Sequence, residues 1–199
     1  MTLSEELIVQ TRRAPSSGVV LKTDRLTLRA PRRGDVQALA ALVNDRRIAV
    51  NTARIPHPFG VDDAAHFIES VNLRAGEAAF VILRNDRLVG GCSVDPREDG
   101  PELGYWLGVQ FWGVGYATEA ARALIDHAFG DLGHETLQAG ARVSNPASRR
   151  VLEKCAFQWT GVRLTRIRAI NSAAPTDRFR LDRRLWASLK SWGSVRQVA

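Results

Sequence analysis

The chain is poor in the residues from which disulfide and metal sites are built. Its two cysteines, Cys92 and Cys155, stand far apart and form no CxxC pair, so neither a disulfide framework nor a zinc site is signalled. The four histidines, His57, His66, His127 and His134, show no HxxxH or HExxH spacing, and no metal is expected. No apolar run approaches the roughly eighteen residues that a membrane helix needs, and the first twenty residues hold no signal-peptide core. A cytoplasmic protein with no membrane partner is the expectation. No internal repeat is visible. A length of 199 residues allows one domain with a sizeable core and is short for two.

What is present is ordinary in bulk and uneven in charge. Hydrophobic residues at 45% and charged residues at 25% fit a globular fold. From Arg163 onward there are nine Lys/Arg against two Asp/Glu, which accounts for the whole net charge of +7 and leaves the first 162 residues balanced. A solvated basic tail is the plain reading of such a cluster. A basic rim for an acidic peptide, a phosphate or RNA is the sharper one.

The Pro/Ser/Gly composition of "RAPSSGVV" ends a stretch read as a mobile arm over residues 1–20. "RLTLRAP" (Arg25 to Pro31) alternates as a strand stopped by proline, and Asp35 is placed to cap a helix bearing Val36, Leu39, Ala40, Leu42 and Val43. Asp62 and Asp63 open a second helix with Phe67, Ile68 and Val71. "EAAFVILR", Asn85-Asp86 and "RLVGGCSV" predict a β-hairpin, and "PELGYWLG" another strand. From about Thr118 a helical face follows, then the strand "ETLQAGARV" and the helix "NPASRRVLEKCAF" with Pro146 in its first turn. Two last strands are expected around Val162 to Arg168 and Asp177 to Arg184, and then an amphipathic stretch with Leu185, Trp186, Leu189 and Trp192. This order predicts an α/β layered domain on a mixed sheet, spanning residues 21–192 with a tail over 193–199.

The most informative junction is "YWLGVQFWGVGYATEA", Tyr105 to Ala120. A strand that ends in glycines and turns into a helix leaves the first N–H groups of that helix unpaired. Glycine permits positive φ and close approach of a ligand, and the helix dipole favours an anion there. Gly113, Gly115 and the amides up to Thr118 form a candidate phosphate cradle. A dinucleotide fold is one way to use it, but GxGxxG would need a third glycine where Thr118 stands.

The stretch also resembles motif A of the GNAT acetyltransferases, whose pyrophosphate loop reads Q/R-x-x-G-x-G/A and is occupied here by Trp112, Gly113, Val114, Gly115, Tyr116 and Ala117. "TDRLTLR", "PHPFGVDDAAHFI", "ELGYWL", "WGVGYATEA" and "NPASRRVLEK" fall in the order and spacing of the RimJ/RimL-type branch, over about residues 21–190. The resemblance implies a GNAT acyl-CoA N-acyltransferase fold, a central twisted mixed sheet flanked by helices. It also implies acetyl-CoA as acetyl donor and transfer to a primary amine, either a protein N-terminal α-amine or a small amine. The cofactor's arm is expected along Tyr105, Trp106 and Leu107, and its pyrophosphate on Gly113 to Thr118. Asn145 and Ser148 match cofactor-contacting residues. Glu102 is the expected base, directly or through water, with an ion-paired strand glutamate as the equal alternative. The Leu107 N–H is expected to stabilise charge on the carbonyl oxygen. Leu152 stands where many relatives carry a proton-donating tyrosine, which leaves Ser148 or water. Ala156 replaces a helix-ending glycine, at a cost of roughly 1 kcal/mol if the left-handed conformation is kept.

Fold and cofactor motif leave the acceptor open. The resemblance puts its entrance near Arg54 to Phe59 and Ile170 to Thr176. Arginines 163, 166, 168, 178 and 180 on the flanking strands suggest a basic slot for an acidic or carboxylate-bearing acceptor. A ribosome- or RNA-associated protein with vestigial CoA binding is the alternative. No aromatic-interleaved basic strand supports specific nucleic-acid binding. Monomer and homodimer both remain open.

Overall fold

The computed structural model describes residues 18–73 and 78–195, with side chains up to residue 191. Most of the expected N-terminal arm, the last four residues and the Trp192 side chain lie outside the described residues. A short strand, β1 (Val20–Lys22), pairs antiparallel with β2 (Thr27–Arg29). β2 lies within the alternating stretch read as a strand, whereas the three residues of β1, starting at the last residue of the linker-like stretch, leave no room for a period-2 pattern.

Three helices follow: α1 (Val36–Val43), α2 (Arg46–Ala49) and α3 (Val61–Leu73). Asp35 does not cap α1 with its side chain. Its carboxylate turns back to accept the Arg32 N–H at 2.7 Å and pairs with both Arg29 nitrogens at 2.7 and 2.8 Å, which locks the turn ahead of the helix. Asp63 accepts the Gly60 N–H at 2.8 Å and so closes the entry to α3. The expected hairpin is β3 (Ala78–Arg84) and β4 (Arg87–Asp95). Asn85 and Asp86 both take positive φ, 47° and 60°, as a two-residue type I′ connection demands.

The chain then runs through β5 (Glu102–Leu107), α4 (Tyr116–Gly130), β6 (Thr136–Arg142) and α5 (Pro146–Lys154). It ends in β7 (Gln158–Ile167), β8 (Ser172–Asp182) and α6 (Arg183–Val195). The last two strands start earlier than expected, and α6 continues past residue 192. Ala156 does adopt the left-handed conformation, with φ 65°.

All eight strands form one sheet in the order β1-β2-β3-β4-β5-β6-β8-β7, antiparallel except for β5 beside β6. One face is covered by α4, α5 and α6. There Phe80, Leu103, Leu124, Phe129, Leu137 and Phe179 make the larger core, and the Trp186 ring of α6 packs tilted against Phe129 with centroids 5.3 Å apart. On the other face α1 and α3 bury Leu39, Val43, Phe59 and Ala64 against Val81 and Leu88. The central strands β3, β4 and β5 send residues to both cores, and β5 turns Leu103 and Leu107 to one and Trp106 to the other.

Candidate active site

The parallel pair is where the sheet opens. β5 and β6 share only the registers Glu102–Gln138 and Leu103–Ala139. β5 nevertheless stays paired to β4 as far as Leu107–Gly90, and β6 stays paired to β8 along its length. Beyond Leu103 the edge of β5 therefore has no strand partner on that side. Gly108 donates to the Val89 carbonyl at 2.9 Å and Gln138 donates to the Pro101 carbonyl at 2.8 Å. By the alternation of a ladder, Trp106 turns its main-chain groups to β4, while Tyr105 and Leu107 turn theirs into the opening. The Trp112 indole donates to the Leu107 carbonyl at 2.8 Å. The Leu107 N–H is left facing the gap.

The close packing of β4 on β5 depends on two glycines. A Cβ at Gly91 would lie 2.8 Å from Trp106 Nε1, and one at Gly90 clashes with the Trp106 carbonyl. Only a missing side chain lets β5 lie flat there.

The α4 N-terminus stands at the mouth of this opening. Gly113 and Gly115 hold φ of 80° and 91°, the left-handed region expected of the cradle. The first intrahelical bond is Glu119 N–H to the Gly115 carbonyl, 3.1 Å, so the amides of Tyr116, Ala117 and Thr118 have no acceptor inside the helix. Arg25 braces the loop by donating to Glu119 at 2.7 Å and to the Val114 carbonyl at 3.1 Å, while stacking over Tyr116 at 4.8 Å. Burial pushes the Glu119 carboxyl up, but the Thr23 hydroxyl and Arg25 outweigh it and hold it below its ordinary value. Arg25 was not singled out from the sequence, although it lies inside the quoted "TDRLTLR".

Two cavities meet across the opening. One, of about 380 Å3, is lined by Leu107, Gly113, Gly115, Ala117, Thr118 and Asn145, with Arg150 and Lys154 adding positive charge. The other, of about 550 Å3, lies towards α1 and α3 and includes Glu102. Asn51, Thr52, Tyr105, Trp106 and Ser148 line both. Of the expected cofactor residues, Trp112 and Tyr116 also line the first cavity. Val114 does not; it is exposed and contributes its carbonyl to Arg25.

Asn145 caps α5, accepting the Ser148 N–H at 3.1 Å. The Ser148 hydroxyl lies 2.9 Å from the phenol of Tyr105, which also donates to the Ser148 carbonyl at 3.0 Å. Burial pushes the Tyr105 hydroxyl well above its ordinary range, against a smaller opposing effect of Ser148. The phenol therefore stays protonated at neutral pH. The sequence points to Tyr105 only as a strand residue along the cofactor's arm. Nothing in the spacing shows that a tyrosine on β5 reaches the first turn of α5. Leu152 is fully buried, and Cys155 packs near the Thr118 carbonyl with burial pushing its thiol up to about 11.

Glu102 lies in the larger cavity, bonded to Arg178 at 2.6 Å and to Arg97 at 3.4 Å. Gly140 makes the first contact possible: a Cβ there would lie 2.9 Å from Arg178 Nη1. The five arginines of the expected basic slot separate. Arg163 pairs with Asp99, Arg166 bonds Asn171, Arg180 pairs with Asp182 and Arg178 with Glu102. Only Arg168 among them lines the cavity, from the turn Arg168–Ile170 between β7 and β8 and not from either strand.

A mixed sheet opened between two central parallel strands, with a glycine-started helix at the opening, defines the acyl-CoA N-acyltransferase fold class. A family model described as an acetyltransferase (GNAT) domain matches residues 25–158, and the chain belongs to that family. It is 28% identical over 149 residues to the uncharacterized N-acetyltransferase p20 of Bacillus licheniformis, covering 71% of this chain and 84% of that one. Its fold is similar to a GNAT-family acetyltransferase from Bacillus anthracis, with TM-score 0.73 and 22% identity, over 83% of this chain and 99% of that one. A similar match, with TM-score 0.73 and 18% identity, covers 82% of this chain and 98% of the ribosomal L7/L12 α-N-protein acetyltransferase RimL, solved in complex with coenzyme A.

Proposed function

We propose that the protein acetylates a primary amine, with acetyl-CoA in the smaller cavity and the amine in the larger. The observation that carries this is the free edge of Tyr105 and Leu107 facing the unpaired amides of α4 across one opening. The residues suit the cofactor. An extended pantetheine arm can add to a strand edge, and a pyrophosphate suits a helix N-terminus flanked by Arg150 and Lys154. That RimL, of similar fold, was solved with coenzyme A supports coenzyme A as the ligand.

When bound, acetyl-CoA supplies an activated thioester; the amine nitrogen–carbon bond forms as the carbon–sulfur bond breaks. The Leu107 N–H is the donor for the carbonyl oxygen as charge grows on it. The Ser148 hydroxyl, backed by the protonated Tyr105 phenol, provides the proton for the leaving sulfur. Of the two roles the sequence leaves open for Glu102, base or ion-paired strand residue, the contacts with Arg97 and Arg178 favour the second. We assign it to ordering the acceptor wall, with water in the open cavity taking the proton of the amine.

The test is calorimetric titration of acetyl-CoA, with NADH as control. Micromolar binding of acetyl-CoA alone, weakened at least tenfold in Gly115→Val, is the expected result. Binding of NADH in its place would overturn the assignment.

A further inference from the structure

We infer that the acceptor is a small primary amine carrying both a carboxylate and an apolar side chain, as an aromatic or branched α-amino acid does, and that Arg168 selects it. The inference rests on the acetyltransferase reading above and specifies its second substrate.

Three features of the larger cavity lead there. Its body is apolar, built from Leu39, Phe59, Phe67, Val71, Phe80 and Trp106. A volume of about 550 Å3 falls within the range of small-molecule sites. An apolar side chain is what such a body accepts, and a polyamine has none to offer.

The charges that line the cavity balance, Arg54, Arg97 and Arg168 against Asp63, Asp95 and Glu102, and Arg178, which pairs with Glu102 from beside Gly140, tips the sum to the cationic side. Asp95 bonds Arg54 and lies 3.6 Å from Arg97, and Glu102 is held by Arg97 and Arg178. Those carboxylates are covered by guanidiniums and present little to an incoming cation. Asp63 and His66 of α3 also line the cavity, with Asp63 turned to the Gly60 N–H.

Arg168 differs from its neighbours. It is exposed and forms no ion pair among the described residues; its guanidinium has one long contact, 3.5 Å, to the Arg54 carbonyl. Its main chain is nevertheless fixed. The Arg168 N–H donates to the Ala53 carbonyl at 3.1 Å, and the turn is closed by Asn171 N–H to the Arg168 carbonyl at 3.1 Å. Ala53 directly follows Asn51 and Thr52, which line both cavities. A cation with an unused fork is thus anchored beside the junction where the amine must meet the thioester. A guanidinium in that state binds a carboxylate in two-point fashion. An amine whose own carboxylate lies a few bonds away fits that arrangement. A protein N-terminus does not, because its α-carboxyl is already a peptide bond.

The experiment follows release of the coenzyme A thiol with L-phenylalanine, L-leucine, L-phenylalaninamide, a peptide beginning with phenylalanine, and spermidine. The free amino acids are expected to be turned over, with KM at least tenfold lower than for the amide and the peptide, and spermidine to be inert. Arg168→Gln is expected to raise KM for phenylalanine about tenfold, with a smaller change in kcat and none in acetyl-CoA affinity, and to erase the preference over the amide. Arg168→Lys should restore part of it. Equal use of amide and acid, or a preference unchanged in Arg168→Gln, overturns the inference. If acetyl-CoA binds and no free amino acid is used, the inference fails while the acetyltransferase reading stands. If acetyl-CoA does not bind and no amine is used, both fail.

Discussion

Tyr105→Phe removes one oxygen and leaves the ring in place, which makes it the sharpest probe of the proposed proton path. The lost contacts are the 2.9 Å bond to the Ser148 hydroxyl and the 3.0 Å bond to the Ser148 carbonyl. A hydrogen bond of this kind contributes about 1 kcal/mol to folding, so Tm should fall by about 2–4 °C for a domain of this size. The effect on turnover should be larger. Without the phenol, the Ser148 hydroxyl loses the partner that orients it and holds a proton beside it. A loss of about tenfold in kcat, or ~1.4 kcal/mol of barrier, is expected. Acetyl-CoA affinity should hold, because the cradle at Gly113 to Thr118 and the β5 main chain are untouched. Ser148→Ala should cost more. If the two hydroxyls act as one relay, the double variant will be no slower than Ser148→Ala. The assay is steady-state thiol release for the two single variants and the double, with calorimetric affinities for acetyl-CoA alongside. An unchanged kcat in Tyr105→Phe, or losses that multiply in the double variant, would refute the reasoning.

Two further perturbations test the frame around the site. Gly140→Ala places a methyl 2.9 Å from Arg178 Nη1 and 3.2 Å from Thr176 Cγ2; Arg178 is pinned by Glu102, so the crowding should cost about 1–2 kcal/mol, read as a lower Tm. An unchanged Tm would mean that the Arg178–Glu102 pair gives way freely. Asp35→Asn should cost about 2 kcal/mol in a urea denaturation at pH 7, because it breaks a two-point pair with Arg29 at a buried position. Burial raises the Asp35 carboxyl, but the Arg29 guanidinium and the Arg32 N–H outweigh it and hold it below its ordinary value. A depressed carboxyl stabilises the fold above the pKa of the unfolded chain, and the contribution disappears as pH falls through the lower folded value. The difference between Asp35→Asn and the parent protein should therefore shrink below about pH 4; a constant difference down to pH 2 would contradict it.

What the sequence by itself determined is local. Positive φ at Gly113 and Gly115, the unpaired first turn of α4, the Asn85-Asp86 hairpin and the cap at Asn145 follow from residue type and spacing. Each depends on the main chain within a few positions, so each is written in a few letters. The family resemblance rests on the same kind of signal. Where the signal is short or ambiguous the sequence misleads: the three residues of β1 carry no period, and the Asp35 carboxylate closes the turn ahead of α1 instead of capping the helix.

Tertiary structure decided everything that needed two distant segments to meet. The divergence of β5 from β6 leaves no mark in either strand, since it arises from β6 following β8 while β5 follows β4. Tyr105 meets Ser148, 43 residues on, only because β5 and α5 face each other across that opening. Glu102 became an ion-paired wall residue when Gly140 let Arg178 cross β6 to reach it. The five basic-slot arginines look alike in the sequence, yet pairing took Arg163, Arg166, Arg178 and Arg180 and left Arg168 at the cavity. Charge is a property of the residue, but whether it is spent on a neighbour or kept for a substrate is a property of distance, and distance exists only in the folded chain.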